Sequence, residues 1–225
     1  MTYREYYKFP EGTNVGFNYA VTLLDTLKPD ELCPGNLNYT YIQTTRTVYR
    51  LPDTSLVTTI DNMFSYNSLL EAPYFNTSNV TNMANMFTYC EKLTTIPQYD
   101  TSNVTTMQAM FVSCRALESL PALDCGAIRT RNSYPLYSYS KYDKLTDVGG
   151  FLNMKMSWDN TQGLQQCPNL SRESCINILN GLYDFTGNGE TPTFSQAVLK
   201  VHANFLTAVG DDISIGTNKG WTITA

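Results

Sequence analysis

The chain has 225 residues, a formal net charge of −5 and only 16% charged residues. That acidic balance, without a basic run, argues against a nucleic-acid partner, and no apolar stretch approaches the ~20 residues that cross a membrane. The length suffices for one substantial core or one elongated stack.

The N-terminal sequence MTYREYYKFPEG has no apolar signal core, so this form is expected to carry no secretory signal. A short amphipathic helix is expected at Ala20–Leu27, and strands at Tyr41–Ile42 and Thr47–Leu51. Arg50-Leu51-Pro52-Asp53 has the form of a repeat ending. Residues 1–52 are therefore read as an N-terminal cap.

From there the chain repeats itself. TSLVTTIDNMF (54–64) is followed by TSNVTNMANMF (77–87) and TSNVTTMQAMF (101–111), with 23 and then 24 residues between successive Met-Phe pairs. The second and third copies agree at eight of eleven positions. Such a period predicts stacked units of a leucine-rich type. Apolar residues recur at Val80, Met83, Met86-Phe87 and Cys90, which suits one face of a short helix capped by Ser78 or Asn79. Leu93 to Ile96 favours extended backbone, and Pro97 ends it. Each unit is thus expected to be a helical turn plus a short strand, with strands ~4.8 Å apart in a parallel ladder.

Recurrence at a fixed phase points to core. Met63, Met86 and Met110 are in phase, and so are Cys90 and Cys114, which are expected to be small apolar rungs. The six cysteines include no CxxC pair and only one histidine accompanies them, so neither a zinc site nor any other metal or cofactor site is expected. The sequons at Asn79 and Asn103 are by-products of the repeat.

The unit TSNVTxMxxMFxxCxxLxxLP resembles the repeat of the BspA-like leucine-rich repeat family, whose members occur on bacterial surfaces and in some phage-encoded proteins. The resemblance covers about 53–124. Segments 145–157, 167–190 and 213–224 resemble the C-terminal part of gut Bacteroidales members. The resemblance implies an α/β repeat solenoid: short parallel strands and short helical turns, with a cap at each end.

Repeats are read over 53–145. Ile128 keeps step with Val104, and then RTRNSYPLYSYSKYD (129–143) interrupts before Leu145 resumes. Residues 146–225 are read as modified repeats and a C-terminal cap. They hold an alternating strand from Leu152 to Trp158, a helix over 172–184 capped by Ser171 with Ile176, Leu179 and Tyr183 on one side, a strand at Ala197–Val201, and Trp221-Thr-Ile223. Leu199 and Ile223 are again 24 apart.

No set of convergent catalytic groups stands out. His202 lies far in sequence from any nucleophile and reads as a surface or cap histidine. Asp211-Asp212 suits a helix start, and Gly187-Asn188-Gly189-Glu190 suits a turn. Two binding surfaces are expected instead. In 129–143, Tyr134, Tyr137, Tyr139 and Tyr142 are interleaved with Arg129 and Arg131, and an insertion into a stack should project outward. The competing reading is a tyrosine-padded loop over a core defect. The second surface is the solvent side of the strand ladder, with Thr94, Thr95, Glu118 and Ser119. The function expected is non-enzymatic recognition or adhesion, binding protein or glycan, at a bacterial surface or on a phage particle. The alternative is a structural virion protein whose partners are other virion proteins or copies of itself.

Overall fold

A computed structural model describes residues 54–130, 133–136, 140–157, 163–193 and 197–225. The expectations for 1–52, and for Arg131, Tyr137, Tyr139 and Trp158, lie outside the described residues.

Successive copies lie one on the next in register. The backbone N–H groups of Ile60, Asn62, Phe64 and Tyr66 donate to the carbonyls of Asn82, Ala84, Met86 and Thr88 at 2.7–3.0 Å. Met83, Asn85, Phe87 and Tyr89 repeat this onto Thr106, Gln108, Met110 and Val112. The intervening N–H groups point back within their own unit: Met86, Thr88 and Cys90 donate to Met83, Asn85 and Phe87. Parallel bridges join Thr59 to Asn82 and Asn82 to Thr106.

This corrects the helix expected over Val80–Cys90. Half of the amides that an α-helix would turn inward are spent on the neighbouring unit. The segment is a run of tight turns whose third residues, Asn85 and Tyr89, are left-handed at φ 55° and 60°. Asn62 and Tyr66 do the same one unit earlier, and Ala109 and Ser113 one unit later. Nor do Ser78 and Asn79 cap a helix. Asn79 Nδ2 donates to Ser55 O of the preceding unit at 2.7 Å, and Asn103 Nδ2 to Ser78 O at 2.8 Å.

The invariant threonine that opens each copy closes its coil. Thr54 Oγ1 donates to Asn76 O and Thr77 Oγ1 to Asp100 O, while Thr101 Oγ1 accepts the Asp124 N–H. All three are buried. Inside the stack, Phe64, Phe87 and Phe111 lie nearly parallel, with centroids 5.5 and 5.8 Å apart.

Ala109 occupies the corner that Asn62 and Asn85 fill in the other copies. A left-handed φ costs an alanine about 1–2 kcal/mol and an asparagine less. Ala109→Asn is therefore expected to stabilise the chain by about 0.5–1 kcal/mol in urea titration. A midpoint that falls would show that the corner is not under strain.

Regular elements appear further on. β1 (Ser119–Leu120) pairs in parallel with β3 (Asp147–Val148), and β2 (Leu123–Asp124) with β4 (Phe151–Leu152). Helix α1 (Arg172–Gly181) is capped by Ser171, whose Oγ accepts the Ser174 N–H. It ends three residues before the expected position, and its buried face is Cys175, Ile178 and Leu179, with Ile176 only partly buried. Lys219 Nζ donates to the carbonyls of Leu179, Asn180 and Leu182, closing that C-terminus. After β5 (Val198–Lys200) come the short helices α2 (Ala203–Val209) and α3 (Ser214–Thr217), then β6 (Thr222–Thr224). β5 and β6 are parallel with Leu199 opposite Ile223, the pair that the 24-residue spacing singles out. Met154 bridges to Leu182, so the expected strand from Leu152 continues only as isolated pairing.

Candidate functional site

The strand side of the stack forms a ladder of carbonyls. Thr94 N–H donates to Leu70 O, Glu118 to Thr94, Thr146 to Glu118 and Ser171 to Thr146, at 2.8–3.0 Å. The hydroxyls on this side fasten the rungs. Thr94 Oγ1 also donates to Leu70 O at 2.9 Å, and Ser119 Oγ donates to Thr95 Oγ1 at 2.9 Å. Thr94, Thr95 and Ser119 are half-buried, while Glu118 is exposed.

Two of these four face a shallow, open groove of about 520 Å³ lined by Glu118, Ser119, Asp143, Lys144, Thr146, Asp147 and Asn169. Asn169 Nδ2 donates to Asp143 O at 2.7 Å, tying the far wall together. The five further residues escaped the sequence reading because Asp147 stands opposite Ser119 across 28 residues, not 24. Aligning Leu145 with Leu117 would have found Asp143, Lys144, Thr146 and Asp147. The groove holds three carboxylates against one ammonium, so it suits neutral or cationic polar ligands.

Of the two readings of the Tyr-rich segment, its described part goes against the outward binding loop. Ser133 O and Pro135 O accept the N–H groups of Met107 and Phe111, and Ser140 Oγ accepts that of Ser113. The described part of 129–143 therefore continues the ladder and does not project from it. Tyr134 is 1% exposed, its hydroxyl donating to Met156 O and accepting the Met156 N–H. Tyr142 is fully buried, and its hydroxyl donates to Phe111 O at 3.2 Å. Both rings are core and offer no face to a ligand. Arg129 is exposed and donates to the carbonyls of Gly126 and Ile128.

The other chemistry-bearing side chains are engaged structurally. His202 caps α2, its Nδ1 accepting the Asn204 N–H at 3.1 Å. Asp212 pairs with Arg172, and Asp184 Oδ1 accepts the Gly187 N–H in the glycine-rich turn. The five described cysteines are free and buried. Cys90 and Cys114 donate their S–H to Phe64 O and Phe87 O, each in the preceding unit. Burial pushes the Cys90 thiol up to about 12, against a weaker opposing pull from a backbone hydrogen bond at Asn67. It raises Cys175 to about 11, Cys125 and Cys167 further, and Cys114 in the same direction. Such thiols are protonated and inert at neutral pH. Among the described residues no group of three or more His, Cys, Asp or Glu could hold a metal ion.

Residues 37–133 match the family described as "Mycoplasma protein of unknown function, DUF285". The match takes in all three clean copies and ends inside the Tyr-rich segment. No curated protein and no solved structure matches the chain. No helix among the described residues is long and apolar enough to cross a membrane.

Proposed function

We propose that this chain is a recognition module built as a BspA-like, leucine-rich-repeat solenoid, displayed at a bacterial surface or on a phage particle. It binds a protein or glycan ligand and performs no chemistry on it. The observation that carries this reading is the register of the rungs. Backbone bonds between units fix a row of outward side chains at one spacing, and a rigid regular face is a surface for contact. The open groove beside Glu118 and Thr146 is the contact region on this reading.

The test is binding of the full chain to a glycan array and to immobilised matrix proteins, alongside the double variant Glu118→Ala/Thr146→Ala. Both side chains are exposed, so the variant should fold normally. Saturable binding that falls about tenfold in the variant, equivalent to ~1.4 kcal/mol, is the expected result. No binding by the parent chain, or equal binding by both, would defeat the proposal.

A further inference from the structure

Two tyrosines recur on the surface at one corner of the coil. Tyr66 and Tyr89 hold the same repeat position, and their rings stack at 4.8 Å between centroids with 8° between planes. They are 53% and 43% exposed. Both sit at left-handed φ, 59° and 60°, a region that a β-carbon disfavours. The next unit shows that the corner does not require an aromatic: Ser113 fills it at φ 60° and is buried. The left-handed corner itself belongs to the coil, so what sets Tyr66 and Tyr89 apart is an exposed phenol where the third unit buries a serine.

Resting on the recognition reading above, we infer that the stacked Tyr66–Tyr89 pair is a carbohydrate-contacting edge, where a sugar ring packs its C–H face on a phenol face. Three observations favour sugar over other partners. The two rings are held by their own stack on adjacent rungs, so little entropy is lost on binding. Phenol offers an apolar face beside a hydroxyl that both donates and accepts, which matches the alternation on a sugar. The area is also small. A stable protein interface buries about 800 Å² per partner, whereas two half-exposed rings supply a fraction of the ~150–250 Å² each possesses. A nucleobase would stack equally well, but its phosphates meet a chain of net charge −5.

Affinity electrophoresis of the full chain through gels containing laminarin, yeast mannan, xylan or gastric mucin tests this directly. At least one polysaccharide is expected to retard the parent chain. The double variant Tyr66→Ser/Tyr89→Ser, which installs the third unit's own residue, is expected to lose that retardation about tenfold with an unchanged circular-dichroism spectrum. Tyr66→Phe/Tyr89→Phe keeps the stack and should retain most of it. Retardation by none of the four, or equal retardation of the serine variant, would overturn the inference. Binding to fibronectin or collagen that survives in the serine variant would leave the general recognition reading standing while removing the sugar edge.

Discussion

Raising the pH to about 9.5 under reducing conditions is expected to unfold this chain, or bring it close to unfolding. An unfolded cysteine titrates near ~8.5. In the folded chain Cys90 is raised to about 12 and Cys175 to about 11, Cys125 and Cys167 higher, and Cys114 well up, all chiefly by burial. Above ~8.5 the unfolded state sheds protons that the folded state keeps, so stability is complete below that pH and falls as pH rises. Each thiol costs about 1.4 kcal/mol one unit above its unfolded value, and five cost about 7 kcal/mol at pH ~9.5. That is comparable with the 5–15 kcal/mol total of an ordinary domain. The burial of Tyr99 and Tyr134 raises them in the same sense and extends the loss above pH ~10. Urea midpoints measured with a phosphine reductant should be flat from about pH 6 to 8 and then drop steeply, and Cys114→Ala should lower the slope by about one-fifth. A midpoint that holds to pH ~10 would show that the thiols are not buried as described.

Truncating the middle ring of the aromatic ladder is expected to cost about 3–5 kcal/mol. Phe87 is fully buried between Phe64 and Phe111 and also lies 6.5 Å from Tyr99. Phe87→Ala removes transfer energy and leaves a cavity that the backbone ladders on both sides prevent from collapsing. Because the energetics of a stack are nearest-neighbour, double-mutant cycles discriminate as well as magnitudes do. Phe87→Leu with Phe111→Leu should show a coupling of about 0.5–1.5 kcal/mol, whereas Phe64→Leu with Phe111→Leu should be additive within ~0.5 kcal/mol. Equal coupling in the two cycles would mean that Phe64 and Phe111 touch, contrary to the register.

The rhythm of the chain was legible, and so were the consequences that depend on phase alone. Met63, Met86, Met110, Cys90 and Cys114 are core as their recurrence implied, and Leu199 stands opposite Ile223. Ser171 announced its helix by cap chemistry. The conformation of the Val80–Cys90 segment was not legible. Inward residues at 80, 83, 86, 87 and 90 satisfy a helical period, and they equally satisfy a chain of turns, because both bring every third or fourth residue to one side. What separates them is where the amide hydrogens go, and that depends on the neighbouring unit. The 129–143 segment misled for a related reason. Its tyrosines look like surface, but Tyr134 and Tyr142 spend their hydroxyls on Met156 O and Phe111 O and so fit inside. Tyr66 and Tyr89 show the converse, since recurrence marks a shared corner of the coil and not always its interior. The groove was half visible, through Glu118 and Ser119, and Asp147 and Asn169 join it only through a register that the interrupted repeat conceals.

The in-register stacking of interchangeable units is tested most directly by removing one. Deleting residues 77–100 would bring Thr101 to follow Asn76 and set Ile60, Asn62 and Phe64 beneath Thr106, Gln108 and Met110, the groups that now receive the equivalent donors of the second copy. Deleting only 83–94, half a period, would put the first copy out of phase with the units that follow it. Thermal unfolding followed by circular dichroism is expected to show one cooperative transition for the full-unit deletion, at a somewhat lower midpoint, and none for the half-unit deletion. A full-unit deletion that fails to fold, or a half-unit deletion that folds as well, would contradict the account.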